Sequence, residues 1–250
     1  MNAADTGIDY SLHYRKWNNH SPEHVAATSA YYQGVAGQHL PARRDAAILD
    51  VGCGIGLTLA AYGRLGYTNC GGIDISSEQV AAARAQGINA EYVADSAAFL
   101  LARPASYDFI SAFDVLEHLP EDLLLPLLRA IHTALKPGGA FLCVVPNANC
   151  AIGMRWRYID WTHRTSFTEH SLEFVLASGG FAAPAIGEVN FHQRRPPYPF
   201  LPRPAVARWL LARFFRFWQR LQFAAEFGYA PSGAIPLSLN IMGVARRSQG

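Results

Sequence analysis

Ala47-Ile-Leu-Asp-Val-Gly-Cys-Gly-Ile-Gly56 is the stretch that decides the fold. A short apolar run, residues 48–51, ends in three glycines at alternate positions, Gly52, Gly54 and Gly56. Residues 57–65 then read as a helix. An apolar run of this length, bounded by turn residues and followed by a helical pattern, is a buried parallel strand, a tight turn and a helix. Glycine adopts positive φ readily and has no Cβ to obstruct a ligand. The N–H groups of the first helical turn then point at whatever binds there.

The spacing and charge of this loop narrow the ligand. The dinucleotide fingerprint runs Gly-x-Gly-x-x-Gly/Ala, but its sixth position, counted from Gly52, is Leu57 here. Asp50, just before the loop, opposes a diphosphate and favours a cationic group. Residues 70–75 form a second short strand, and Asp74 lies 18 residues after Gly56. An acid at that strand end accepts hydrogen bonds from ribose hydroxyls. Ser76 is an N-cap for a helix over 77–86. A third strand, 90–94, leads into Asp95-Ser96. A fourth, 107–113, leads into Asp114-Val-Leu-Glu117-His118, followed by a helix over 121–135. Lys136-Pro-Gly-Gly139 precedes a fifth strand, 140–145, ending in Pro146-Asn147. Four acids, each after a strand of an alternating pattern, sit where open α/β sheets bind ligands.

Across residues 46–147 this run resembles, motif by motif, the class I S-adenosylmethionine (SAM) methyltransferases. The resemblance implies an α/β fold: a seven-stranded doubly wound sheet, parallel but for one antiparallel strand. We divide the single domain into an N-terminal helical cap (1–45), a SAM-binding core (46–193), an inserted lid helix (194–232) and a last strand and tail (233–250). The resemblance also implies SAM as cofactor. Its site would be built from Asp50, Gly52, Cys53, Gly54 and Gly56 at the loop, Asp74 and Ile75 at the ribose, Asp95 and Ser96 at the adenine, and Asp114 and Val115 after the fourth strand.

The acceptor side is read from residues 156–172. The pattern Asp160-x-Thr-His163-x-x-x-Phe167-Thr168 resembles a subgroup that methylates small molecules and sugars, and more loosely the ubiquinone-pathway O-methyltransferases. Thr168 opens a helix that Gly179-Gly180 stops. Methyl transfer from a sulfonium needs alignment of the nucleophile and no acid for the leaving group. A hydroxyl acceptor needs a base, and histidine has a suitable pKa. His163, in the acceptor loop, and His118, beside Glu117, are the candidates; for His118 the other reading is a ring packed under the cofactor. Arg155, Arg157 and Arg164 suit an anionic acceptor, or are simply exposed.

Half of the 250 residues are hydrophobic, enough for one domain with a sizeable core. The net charge of +2 gives no nucleic-acid footprint. Cys53, Cys70, Cys143 and Cys150 form no C-x-x-C pair, so they read as buried thiols in a reducing compartment, and no metal site is expected. Residues 1–5 lack a basic, apolar leader, and no uncharged apolar run has transmembrane length. The expectation is a cytoplasmic protein, at most peripheral to the inner face of the membrane.

Both flanks carry aromatic residues. Tyr10, Tyr14, Trp17, Tyr31 and Tyr32 surround a helix starting at Pro22 with Ser21 as its cap. By the same resemblance this segment folds over the cofactor; the other reading packs it on the sheet. A sixth strand, 184–192, gives way to a proline-rich connector, 194–204, and a helix over 205–227. Val206, Leu210, Leu211, Phe214, Phe217, Trp218 and Leu221 fall on one face, with Arg208, Arg213, Arg216 and Arg220 on the other. We read it as a lid, or a contact with a second chain, with Phe214 and Phe217 buried; a membrane-interface helix is the alternative. Residues 235–246 read as an antiparallel seventh strand.

The function expected is SAM-dependent O-methylation of a small-molecule or glycan acceptor. A NAD-dependent oxidoreductase is opposed by Leu57 and by Lys136-Pro-Gly-Gly139. A non-catalytic SAM-binding scaffold is opposed by the intact series of acids.

Overall fold

β1 (Ile48–Val51) is buried along its whole length, as a strand covered by helices on both sheet faces must be. The structure, a computed structural model, describes residues 19–189 and 203–249. The aromatics Tyr10, Tyr14 and Trp17 and the connector over 194–202 lie outside the described residues.

Around β1 the chain builds α1 (Pro22–Ala36), α2 (Leu57–Arg64), β2 (Cys70–Asp74), α3 (Ser77–Ala85), β3 (Ala90–Tyr92), α4 (Ser96–Leu101), β4 (Tyr107–Phe113), a single 3₁₀ turn (Leu116–His118), α5 (Glu121–Ala134) and β5 (Leu135–Pro146). Then come α6 (Gly153–Ile159), α7 (Glu169–Ser178), β6 (Ala182–Glu188), α8 (Arg203–Phe227), α9 (Tyr229–Ala234) and β7 (Asn240–Arg246). The sheet order is β3-β2-β1-β4-β5-β7-β6. β7 runs antiparallel to both its neighbours, and the remaining pairings are parallel. The seven-stranded mixed sheet is therefore the one expected. The strand order reverses at β1, between β2 and β4, and this is where the connections diverge and leave a crevice.

Alternation along each strand divides the core in two. Leu49, Val51, Ile110, Ala112 and Phe141 join the cluster under α5 and α7. Ile48, Phe109, Phe113, Leu142 and Val144 join the one containing Leu59 and Tyr62 of α2. Close packing of α2 on the sheet needs Gly72. A Cβ there would lie 2.5 Å from Cys53 Cβ and 2.7 Å from Leu59 Cδ1.

The caps fall where the side chains suggested. Ser21, Ser76 and Thr168 each accept a backbone N–H at the start of a helix. Several boundaries differ. Lys136-Pro-Gly-Gly139 is part of β5, whose pairing with β4 shifts register after Tyr107↔Leu135. β6 begins two residues before the expected start at 184, and residues 190–192 lie outside the described residues. β7 begins at Asn240 rather than 235; residues 235–239 are an irregular stretch after α9, and Arg220 of α8 donates to the carbonyls of Ser232 and Ile235 at its start.

α8 corrects a reading. Its faces divide as the sequence indicated, but the polar side is the one turned to the protein. Arg216 pairs with Glu188 of β6, and Gln219 donates to the Asn149 carbonyl. Phe214 and Phe217, expected to be buried under a lid, are 59% and 61% exposed. Leu210, Leu211, Phe215, Trp218 and Leu221 are exposed beside them.

Candidate active site

Where β1, β2 and β4 end, the crevice widens into a cavity of about 1560 Å³. Pockets for one small ligand run to about 300–1,000 Å³, so this one has room for two molecules side by side. Its walls fall into two halves.

The first half comprises Gly52, Asp74, Ile75, Ser76, Gln79, Asp95, Ser96, Asp114 and Val115, roofed by Tyr31 and Tyr32 of α1. α1 is tied down by Gln33, which donates to the Ala61 carbonyl at 3.2 Å, and by Tyr32, whose ring meets Phe113 edge-on. Tyr31 and Tyr32 therefore serve both readings of the N-terminal segment, packing on the sheet and walling the cavity. Gly52 has φ +72°, and a Cβ there would lie 2.5 Å from Val115 Cγ2. The Asp74 carboxylate accepts from the N–H of Gly54 and of Ser76, both at 2.8 Å. Burial raises its pKa, and these N–H bonds oppose the rise. Asp114 holds a left-handed conformation, φ +54°, that asparagine and aspartate tolerate better than most residues. Such strain gathers at functional sites. Asp95 caps α4 through the N–H of Ala98 while lining the cavity.

Four loop residues stand back from the cavity wall. Cys53 is buried, and Gly54 and Gly56 shape the turn with φ of +53° and +85°. Asp50 sits behind the loop, where its carboxylate accepts from Ser111 Oγ at 2.6 Å. Burial pushes Asp50 up to about 7, against the hydroxyls of Ser111 and Thr58, which hold it down. A positive charge on the ligand side of the loop would favour the ionised form of this buried acid. With a cavity-facing acid after β2 and a glycine cradle at Gly52, the donor set fits a nucleoside carrying a cationic sulfonium and amino group.

The second half is built by the loop after β5. Arg164 N–H donates to the Glu117 carbonyl at 2.7 Å and Thr165 N–H to the same oxygen at 3.2 Å, so this loop is fastened to the 3₁₀ turn. His118 and His163 meet there with ring centroids 4.6 Å apart. His163 Nδ1 lies 2.9 Å from the Trp156 carbonyl, which only accepts, so Nδ1 carries the proton and Nε2 the lone pair of the neutral ring. Thr162 Oγ1 donates to Asp160 Oδ1 at 2.6 Å and so accepts from His118 Nδ1 at 2.8 Å. Both candidate histidines thus line one cavity with the same tautomer, as do Arg157 and Arg164; Arg155 does not.

Some lining residues went unnoticed in the sequence. Thr28 and Gln79 lie on helix faces that read as ordinary surface, and Asn240 arrives from the far end of the chain. Glu117 was visible only as a motif letter, yet its side chain is fully buried. Burial raises its pKa well above the ordinary range, and the nearby Asp114 carboxylate adds to the rise.

A family profile described as a methyltransferase domain matches residues 23–183. The ubiquinone biosynthesis O-methyltransferase of Xanthomonas campestris pv. campestris is 38% identical over 141 residues, covering 53% of this chain and 58% of that protein. The enzyme of the same name from Burkholderia thailandensis is 34% identical over 106 residues, covering 40% and 43%. The chain thus spans about half the length of the curated relatives it matches. A SAM-dependent methyltransferase from Archaeoglobus fulgidus superposes with a TM-score of 0.64 at 19% identity, over 96% of this chain and 100% of that one. Phosphoethanolamine N-methyltransferase 2 of Haemonchus contortus, solved with SAM, gives 0.58 at 16% identity, over 97% and 61%. At these identities the likeness is one of fold.

Proposed function

The chain belongs to the class I SAM-dependent methyltransferases, and from that premise we propose that it methylates a hydroxyl oxygen of a small molecule or sugar intermediate. One observation carries the reading: a single cavity is walled by the strand-end acids on one side and by His118 and His163 on the other. SAM supplies an electrophilic methyl group and leaves as a neutral thioether. Asp74 would hold the ribose hydroxyls, Asp95 and Ser96 the adenine, and the turn at Gly52 the amino-acid end. On the acceptor side Arg157 and Arg164 would orient an anionic substituent. His163, as a neutral imidazole, would take the hydroxyl proton at Nε2. Tyr31 and Tyr32 would keep water from the reacting oxygen.

Labelled SAM offered with sugar nucleotides, lipid-linked glycans and phenols tests the reaction class. Label on oxygen in one of these sets is the expected result. Label found only on nitrogen or carbon acceptors would overturn the oxygen assignment.

We further propose an anionic lipid surface as the partner of α8. The exposed apolar stripe, Val206 to Leu221, is bordered by exposed Arg208 on one margin and Arg213 on the other, the latter over the Trp209 ring. Apolar insertion flanked by cations suits anionic headgroups, each arginine contributing about 1 kcal/mol. No described helix is long and apolar enough to cross a membrane. Co-sedimentation with vesicles of phosphatidylcholine and phosphatidylglycerol should be strong at low salt and weak at high salt, and should be lost in Arg208→Glu/Arg213→Glu. A protein that stays in the supernatant, or whose stripe is covered in a lipid-free dimer that Phe217→Glu dissociates, would refute it.

A further inference from the structure

One face of α1 forms part of the cavity wall. His24, Ala27, Thr28 and Tyr31 line the cavity at spacings of three and four residues, the repeat of a single helical stripe. The stripe begins near the glycine turn, because His20 Nε2, just before α1, donates to the Ile55 carbonyl at 3.1 Å.

Two observations single out His24. The first is an unanswered polar atom. His24 lines the cavity, yet its Nε2 is buried with no hydrogen-bond partner; among the described residues of the wall only Gln79 has a buried polar atom in that state. Buried polar atoms are paired as a rule, and an orphan in a cavity wall is met by what fills the cavity. The second observation is the distribution of charge. Asp74, Asp95 and Asp114 line the cofactor half. They suit the sulfonium, the ammonium and the ribose hydroxyls of SAM, but they repel its carboxylate. Arg157, Arg164, His118 and His163 line the acceptor half. Among the described residues of the cofactor half, His24 is the one whose side chain can carry a positive charge. It also stands in the first turn of α1, where the helix dipole favours an anion. Glu23 of the same turn is exposed and is not part of the wall.

We propose that His24 binds the carboxylate at the amino-acid end of SAM, donating from Nε2 to a carboxylate oxygen. The start of α1 then contributes to cofactor affinity as well as covering the site. The inference rests on SAM as the cofactor and is independent of which acceptor atom is methylated. SAM and its demethylated product, S-adenosylhomocysteine, carry the same carboxylate. A contact with it is made equally before and after transfer, so it sets affinity and not the rate of the chemical step.

Calorimetric titration of the full-length protein with SAM and with decarboxylated SAM, which keeps the sulfonium and the amine, tests the contact. Wild type should bind SAM at least about 10-fold more tightly. Equal or tighter binding of the decarboxylated ligand overturns the proposal with no variant needed. His24→Ala should weaken SAM roughly 10–150-fold and S-adenosylhomocysteine by the same factor, while decarboxylated SAM binds as it does to wild type. Retained binding of that ligand also reports an intact fold and site. Unchanged SAM affinity in His24→Ala overturns the proposal. So does an equal loss of SAM and its decarboxylated analogue, since His24 would then only hold α1 in place. If His24→Ala behaves as expected and label from SAM reaches only nitrogen or carbon, the contact stands and the oxygen reading falls.

Discussion

His163→Ala is expected to turn over about 10²–10⁴-fold more slowly at saturating acceptor, the range for loss of a positioned proton acceptor. SAM affinity should stay near wild type, because His163 belongs to the acceptor half of the cavity. Its ring is held by the Trp156 carbonyl and its side chain is only 10% exposed, so the alanine variant leaves a hole without unfastening the loop. The loop's backbone bonds to the Glu117 carbonyl do not involve the ring. His118→Ala is expected to behave differently. It removes a donor to Thr162 and loosens the Thr162–Asp160 pair, so acceptor affinity and thermal stability should fall together. Single-turnover rates with calorimetric SAM titration separate the two variants. Full turnover by His163→Ala would mean that the reaction needs alignment alone or a different base.

Asp74→Ala should weaken SAM by about 1.5–3 kcal/mol, the cost of losing hydrogen bonds to a charged acceptor, or roughly 10–150-fold in Kd. The structure adds a second cost. The same carboxylate receives the N–H of Gly54 and of Ser76, so its removal also leaves the glycine turn less well held. Asp74→Asn keeps one acceptor oxygen and serves as the control. It should retain more of the melting temperature than alanine does while still weakening SAM. Unchanged SAM affinity in Asp74→Ala would refute the ribose assignment, and no measurable NAD binding is expected from either protein.

The strand ends were legible because two codes coincide there. Runs such as 48–51 and 107–113 are short and largely apolar because helices cover both their faces, and an acid, Asp50 or Asp114, lies at or just past the end of each. Residues 135–139 misled because Lys-Pro-Gly-Gly reads as a turn. The pairing of Leu135 with Tyr107 across a register shift is a tertiary event with no local signature. α6 was invisible because Gly153 is its only buried residue, so no apolar periodicity marks it. For α8 the pattern correctly separated two faces. Periodicity says which residues share a side; it does not say which side meets the protein, and here Glu188 and the carbonyls of Ser232 and Ile235 drew Arg216 and Arg220 inward. Glu117 shows a similar limit, since a motif letter carries no information about whether its carboxylate is satisfied.

β7 lies between β5 and β6, so the last of the described strands is an interior strand of the sheet. Among the described strands β6 pairs with β7 alone, so it joins that sheet once residues 240–246 are available. During synthesis the half from β1 to β5 can assemble while the later residues are still being made. β5 meanwhile waits with an open edge that the final strand must fill. Unpaired edges of this kind recruit other chains. Yield on refolding, and on slow translation, should therefore depend on how quickly the carboxyl-terminal strand docks.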